Sequence, residues 1–203
     1  MTTWADYRWT CGPRGLYDCE AMSSVTHITT AEELWKAGDI GRCELVRGEL
    51  IMMSPANPEH ARVTARLSYL IMTWLEEHPG AGEVWSGDPG FIIQGDPDTV
   101  RAPDIALVER RDVERTQTSG FARGAPRLAI EIISPNDAAS EVLAKVQDWL
   151  NAGTEEVWVV DPQRRTVAIS RMDQAVRALG EEDELASGSL LPGFRVPVAT
   201  VFR

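Results

Sequence analysis

The sequence predicts an α/β (α+β) protein whose mixed central β-sheet is flanked by helices and preceded by an N-terminal helix and a β-hairpin. The first observation is the order of hydrophobic patterns, which runs helix, hairpin, helix, several strands, helix and strands. The second is size and composition: the 203 residues, of which 43% are hydrophobic and 25% charged, suit one globular domain.

The first elements are predicted by capping and turn residues. The segment TTAEELWK, residues 29–36, is typical of a capped helix, because Thr29 or Thr30 precedes two glutamates. The segment CELVRGELIMM, residues 43–53, predicts a β-hairpin with the pair Arg47-Gly48 as its two-residue turn.

A long amphipathic helix follows the hairpin. Asn57 is a suitable N-cap and Pro58 suits the first helical position, and apolar residues then recur at helical spacing until His78. Apolar runs between turn residues predict the remaining elements: strands at 83–94 (one strand or a bulged pair), 103–109, 127–133, 155–161, 166–171 and 175–179, and a helix that begins at Asn136 or Asp137 and ends at Asn151.

Charge and cysteine content narrow the class of protein. A net charge of −11 argues against a general polyanion binder. Cys11, Cys19 and Cys43 lack metal-type spacing, so we expect reduced thiols in a cytoplasmic protein. No apolar run approaches the ~18 residues of a membrane span, so no membrane partner is expected. Residues 1–24 lack a sustained period, and residues 1–28 are predicted to be an N-terminal appendage to a domain at 29–203.

Glu131 lies in the middle of the apolar strand predicted at 127–133. Burying an unpaired ionised carboxylate costs at least several kcal/mol, so this side chain needs a partner or a function. One interpretation is an ion pair with Arg101, Arg123 or Arg127, and the other is a role in a functional site.

Asp104 offers a second carboxylate on a neighbouring predicted strand. Pro103 fixes the backbone at the start of that strand, and Asp104 is the first side chain the strand presents. Asp104 alone is also consistent with an ordinary strand-start turn residue. Together, Asp104 and Glu131 could share a divalent cation, and Mg²⁺ is usually held by one or two carboxylates and water.

Lys145 is unusual because this protein uses arginine for nearly all of its positive charges. Of the 20 basic residues only Lys36 and Lys145 are lysines. The apolar arc of the predicted helix consists of Leu143, Val146, Trp149 and Leu150. Lys145 lies at the edge of this arc, where a compact ammonium could orient a water or neutralise a phosphate. The alternative is a surface pair with Glu141 one turn earlier, although an acid there could equally orient Lys145.

Five segments resemble, in order, the Uma-two family of restriction endonucleases, which belongs to the PD-(D/E)xK nuclease superfamily. The resemblance runs from about Thr29 to the C-terminus and leaves out residues 1–28. The segments are ELVRGELIMMSPANPEH (44–60), VRAPDIALV (100–108), GAPRLAIEIISPN (124–136), AGTEEVWVVDP (152–162) and LLPGF (190–194).

The resemblance implies a restriction-endonuclease-like core that hydrolyses phosphodiester bonds in DNA with Mg²⁺ or Mn²⁺. It implies that Asp104 and Glu131 are catalytic carboxylates and that they hold the metal together with the backbone carbonyl of Ile132. The strict motif requires lysine where this chain has Ile133, and the resemblance implies that Lys145 takes over its role.

The resemblance also places Glu49 and His60 at the rim of the active site. Their residue types leave alternatives open: Glu49 suits a solvated acid after the hairpin turn, and His60 suits a hydrogen-bonded histidine on the apolar face of its helix. The arginine-rich stretch 101–127 is expected to contact phosphates.

Two other functions are consistent with the same residues. One is a catalytically idle nuclease fold that serves as a nucleic-acid-binding or assembly module. The other is a metal-dependent hydrolase of small phosphoesters. A homodimer would suit cleavage of both DNA strands.

Overall fold

A five-stranded sheet and a six-stranded sheet make up most of the fold. The computed structural model describes residues 28–109, 120–135, 137–188 and 190–203. The helices are α1 Ala31–Ala37, α2 Pro58–Glu77, α3 Ala139–Asn151 and α4 Val198–Val201. The strands are β1 Cys43–Val46, β2 Glu49–Met52, β3 Glu83–Ser86, β4 Phe91–Gln94, β5 Thr99–Arg101, β6 Ile105–Val108, β7 Ala122–Arg123, β8 Leu128–Ile132, β9 Glu156–Asp161, β10 Thr166–Ser170, β11 Arg177–Leu179, β12 Glu184–Ala186 and β13 Arg195–Pro197.

The strand pairing confirms the mixed sheet that the sequence predicts. The six-stranded sheet has the order β11-β10-β9-β8-β6-β3, in which β8 and β9 run parallel and the other neighbours antiparallel. Helix α3 makes the crossover from β8 to β9 that parallel neighbours need. The five-stranded sheet has the order β2-β1-β5-β4-β7, and β12 pairs with β13 in a separate ribbon.

The predicted caps and the hairpin turn are confirmed. Thr30 caps α1 and Glu33 completes a reciprocal capping box. The turn residues Arg47 and Gly48 have φ angles of 51° and 77°, as a two-residue type I′ turn requires at both positions. The Asn57 side chain accepts a hydrogen bond from a backbone N–H of α2.

The segment 83–94 differs from the single strand or bulged pair that its pattern predicts. It forms two strands that belong to different sheets, because β3 pairs with β6 and β4 pairs with β5 and β7. Gly87 and Asp88 both have positive φ between the two strands. This turn directs the chain out of one sheet and into the other.

The start of α3 also differs from its prediction. The helix begins at Ala139, and its N-cap residue Ala138 makes no side-chain capping bond. The Asp137 carboxylate instead accepts a hydrogen bond from the backbone N–H of Ser134, while Asn136 lies outside the described residues. The loop before α3 is therefore held by an Asp-based turn rather than by a cap.

The side chains of β8 alternate between two cores. Leu128, Ile130 and Ile132 belong to the large apolar cluster under α2 and α4, whereas Ala129 belongs to a smaller cluster under α3. Alternation therefore directs Glu131 toward α3. In β6, Ala106 shares the α3 side, and the same alternation places Asp104, two residues earlier, on that side too.

The structure describes the N-terminal part of the chain from Ile28 onward. Ile28 is buried in a small cluster with α1 and β1, while the remainder of the predicted appendage, with Cys11 and Cys19, lies outside the described residues. Cys43 carries a free thiol. No helix in the part of the chain that the structure describes is long and apolar enough to cross a membrane.

Candidate active site

A pocket of about 640 Å³ lies between the β1–β2 hairpin and the first half of α3. Four residues that the sequence singles out line this pocket: Asp104, Glu131, Lys145 and His60. Glu49 is an exception, since it is exposed at the start of β2, next to the hairpin turn, and does not line the pocket. The structure thus brings four of the five candidate side chains together.

Asp104 is fixed by contacts from three directions. Its Oδ2 accepts a hydrogen bond of 2.7 Å from the backbone N–H of Ile132, and its Oδ1 lies 2.9 Å from His60 Nε2. Arg42 lies 3.5 Å from the same Oδ1. The hydrogen bond with Asp104 raises the pKa of His60, although burial acts in the opposite direction. His60 is therefore a partner of a site carboxylate, in addition to being buried in the fold.

Glu131 is buried between an indole and an ammonium group. Its Oε1 accepts a hydrogen bond of 2.7 Å from Trp149 Nε1, and its Oε2 lies 3.3 Å from Lys145 Nζ. Burial raises the pKa of Glu131 to about 7; Glu44 and Asp104 add to the shift, while Lys145 and Trp149 oppose it. The partner of Glu131 is thus Lys145 rather than one of the arginines considered from the sequence.

Lys145 projects from α3 toward the strands and reaches two carboxylates. Its Nζ lies 3.3 Å from Glu131 and 3.2 Å from Glu44, and its side chain is 19% exposed. Burial opposes the charge, but the two carboxylates outweigh it and raise the pKa of Lys145. Lys145 therefore stays protonated, with Glu131 and Glu44 as its ion-pair partners in place of the expected Glu141.

Glu44 is a site residue that the sequence patterns did not single out. It is 1% exposed and accepts hydrogen bonds from Arg101 at 2.7 Å and from the backbone N–H of Ala102 at 3.1 Å. Its signal is the same as that of Glu131, namely an acid within an apolar strand, here CELV. The prediction chose Glu49 on the other strand of this hairpin.

Arg101 shows that the arginine-rich stretch is not uniformly available to phosphates. Its guanidinium is buried and bound to Glu44 and Asp148. Arg127 pairs with Glu155 at 2.6 Å. Two carboxylates therefore already engage Arg101, and phosphate contact by this stretch stays a prediction. Residues 110–119, with three more arginines, lie outside the described residues.

The donor set suits a hard divalent cation. Each carboxylate oxygen has two lone pairs, so the hydrogen bonds to Asp104 and Glu131 leave acceptor capacity on both side chains. Burial, which disfavours the charged form, is the main cause of the raised pKa of Glu131, and a bound cation would favour that charged form. Among the described residues no group of three or more His, Cys, Asp or Glu side chains forms a metal site by itself. A cation here would depend on two carboxylates, a carbonyl and water, as Mg²⁺ commonly does.

The fold and the pocket define a class of mixed α+β proteins with buried carboxylates on and beside the central six-stranded sheet and a lysine on the helix that packs against it. The chain belongs to the Uma2 family, described as putative restriction endonuclease, whose family model matches residues 31–199. This confirms the family that the sequence predicts. Membership supports nuclease activity in general and implies a nucleic-acid substrate. No match is found among curated proteins.

A solved structure supports the fold. The crystal structure of a putative nuclease belonging to DUF820 from Anabaena variabilis ATCC 29413 is similar to this chain with a TM-score of 0.74 and 19% sequence identity. The similarity covers 85% of this chain and 97% of the other. The predicted fold class is thereby confirmed.

Proposed function

We propose that this protein is an endonuclease that hydrolyses phosphodiester bonds in DNA with Mg²⁺, for which Mn²⁺ can substitute. The observation that carries the proposal is the convergence of Asp104, Glu131 and Lys145, from three separate elements, in one pocket. The family supplies the nuclease class, and the pocket supplies the residues that metal-assisted hydrolysis needs.

Asp104, Glu131 and the Ile132 carbonyl are the groups that would hold the cation. When bound, such an ion lowers the pKa of a coordinated water and polarises the scissile phosphate. His60 and the Ile132 N–H fix the two oxygens of Asp104, and Trp149 fixes one oxygen of Glu131. These hydrogen bonds orient the carboxylates before the substrate arrives, which avoids reorganisation during the reaction.

Lys145 stabilises the negative charge that builds up on the phosphate during hydrolysis. Its raised pKa keeps the ammonium charged, and a preorganised charge in a partly buried site acts more strongly than one in water. Glu44 is a second carboxylate that holds the ammonium, in addition to Glu131. Arg101 in turn balances the charge of Glu44.

The proposed reaction is tested with purified full-length protein and plasmid or oligonucleotide DNA in Mg²⁺ or Mn²⁺. We expect Asp104→Asn and Glu131→Gln to lower the cleavage rate by about 1,000-fold, the size of a lost electrostatic contribution of about 4 kcal/mol. Glu182→Gln, which changes an exposed acid between β11 and β12, serves as the matched control. Cleavage by Asp104→Asn at the control rate would contradict the proposal.

Calorimetric titration with Mn²⁺ separates the enzyme from a catalytically idle module. The enzyme predicts binding that is lost in Glu131→Gln and kept in Glu182→Gln. Absence of Mn²⁺ binding by the unchanged protein, together with intact DNA, would favour the idle module. Cleavage of a nucleotide-sized phosphodiester without cleavage of DNA would instead indicate a small-phosphoester hydrolase.

The acidic total charge shapes the expected DNA affinity. With a net charge of −11, non-specific binding should be weak and should fall steeply with salt.

The homodimer and the cytoplasmic location stay predictions. Sedimentation of the protein with and without DNA tests the homodimer.

A further inference from the structure

Part of the pocket lining is apolar, although the buried groups at its floor are charged. We call Val46, Ile51, Met52 and Val142, which all line the pocket, the apolar entrance. Ile51 pairs in register with Glu44 across the hairpin, so both side chains face the pocket. Ile51 is 43% and Met52 is 55% exposed, so these two side chains offer apolar surface that the protein does not cover itself.

Val142 places the opposite wall of the entrance on α3. It precedes Lys145 by three residues, and residues at this spacing are neighbours on one side of a helix. Ile51 on the hairpin and Val142 on the helix therefore lie on the two elements that bound the pocket, in the same lining as Lys145 and Glu131. A group that binds at the buried carboxylates can also contact these aliphatic side chains.

The charges of the lining disfavour several phosphates at once. The described lining residues include five carboxylates, on Glu44, Asp104, Glu131, Asp137 and Glu141, and three permanent cations, on Arg42, Arg101 and Lys145.

Each of the three cations already has a carboxylate partner. Arg42 lies 2.6 Å from Asp88, Arg101 lies 2.7 Å from Glu44, and Lys145 lies 3.2 Å from Glu44. Double-stranded DNA carries one negative charge per ~1.7 Å of helix axis. A continuous duplex would thus bring many phosphates to a lining whose cations are already paired.

We propose that the pocket takes one unpaired nucleotide of a nucleic-acid strand, with the base against the apolar entrance and a single phosphate at the carboxylates. This inference rests on the proposed nuclease function and specifies its substrate as single-stranded or locally unpaired DNA. Unpaired bases expose their flat faces for packing against protein side chains, whereas stacked duplex bases do not. The cavity of about 640 Å³ falls within the ~300–1,000 Å³ of small-ligand sites.

The test measures binding separately from cleavage. Fluorescence anisotropy follows a short labelled single strand and the matched duplex in Ca²⁺, which takes the same kind of oxygen ligands as Mg²⁺. We expect the full-length protein to bind the single strand at least about tenfold more tightly than the duplex, because only the single strand offers a base to the entrance.

Variants of the entrance identify where the base binds. Ile51→Thr and Val142→Thr keep β-branched shapes but remove apolar contact, and each should weaken single-strand binding by about fivefold. Val176→Thr is the matched control, since Val176 is 61% exposed and does not line the pocket; it should leave the affinity unchanged.

Three results would overturn the inference: equal or tighter binding of the duplex, no binding of the single strand, or equal single-strand affinity in the two entrance variants and the control. The same proteins in Mg²⁺ test the nuclease function by itself. Cleavage of duplex DNA without preference for the single strand would leave the nuclease function standing and remove the inference. Single-strand binding that depends on Ile51, without cleavage in Mg²⁺ or Mn²⁺, would remove the nuclease function and leave the nucleotide-binding pocket standing.

Discussion

The two faces of the six-stranded sheet are built from the same strands but serve different purposes. Toward α2, β8 presents Leu128, Ile130 and Ile132, which pack into a large apolar cluster. Toward α3, it presents Ala129 and Glu131. One strand therefore contributes apolar packing on one side and a buried carboxylate on the other.

Residue size explains how the α3 side accommodates polar groups. Ala106 and Ala129 occupy the sheet surface beneath α3, so the indole of Trp149 can reach Glu131 across a short gap. A buried carboxylate lowers stability unless its partners and the rest of the fold compensate. The apolar face toward α2 therefore stabilises a fold whose other face contains charges that are unfavourable on their own.

The largest expected effect is on stability and tests the apolar face toward α2. Ile130→Ala removes a fully buried side chain and should lower the free energy of unfolding by about 2–5 kcal/mol through lost burial and a cavity. Urea denaturation measures the loss, and calorimetry on the folded variant should show unchanged Mn²⁺ affinity. Val176→Ala, at an exposed position, is the control and should change stability little. Loss of Mn²⁺ binding in folded Ile130→Ala would show that the two faces of the sheet do not act independently.

The next effect distinguishes the two glutamates of the hairpin. Glu44→Gln should lower the cleavage rate by about 100-fold, or about 2.7 kcal/mol, because Lys145 loses one of the two carboxylates that hold it. Glu49→Gln changes an exposed acid on the same hairpin and should leave the rate unchanged. Single-turnover cleavage in Mg²⁺ compares them. Equal losses of cleavage rate in both variants would indicate that Glu49 also takes part in the reaction.

A smaller effect concerns the indole of α3. Trp149→Phe keeps an aromatic ring in the core but removes the N–H that donates to Glu131 at 2.7 Å. The loss of a hydrogen bond to a charged group should lower the free energy of unfolding by about 1.5–3 kcal/mol. A double-mutant cycle with Glu131→Gln, measured by urea denaturation at pH 8, isolates this coupling. Because a glutamine amide oxygen can still accept this bond, additive effects of the two substitutions would show that the charge of Glu131 does not strengthen it.

The last effect is the pH dependence that Glu131 produces. Its pKa is raised from 4.5 to about 7, so between these values the folded protein holds a proton that the unfolded chain has released. The contribution of this proton to stability is present below pH 4.5 and is lost as pH rises toward 7. Unfolding free energies of wild type and Glu131→Gln should therefore shift in favour of the variant between pH 5 and pH 8. A difference in unfolding free energy between the two proteins that does not change with pH would contradict the raised pKa of Glu131.

Local signals predicted much of the fold and part of the site. The Thr30 cap, the Arg47-Gly48 turn and the Asn57 cap depend on neighbouring residues, and the structure confirms all three. Glu131 and Lys145 stood out because one is an acid in an apolar strand and the other a rare lysine. The structure brings these two side chains together in one pocket.

The remainder depends on contacts between distant parts of the chain. The bond between Arg101 and Glu44 spans 57 residues, and that between Arg101 and Asp148 spans 47. Hydrophobic periodicity gives the face of each side chain but not its partner on another element. For the same reason Trp149 was interpreted as an apolar residue, and Leu143, predicted to belong to the apolar arc of α3, is 57% exposed.

The short passage from β5 to β6 joins the two sheets at the pocket. Arg101 ends a strand of the five-stranded sheet and Ile105 begins a strand of the six-stranded sheet, with Asp104 directly before it. Glu44 and Glu131 therefore reach Lys145 from different sheets. Partial unfolding that separates the two sheets would therefore move Glu44 and Glu131 apart, even if each sheet kept its own strands. Hydrogen exchange at the junction between the sheets should report this loss of the site before global unfolding.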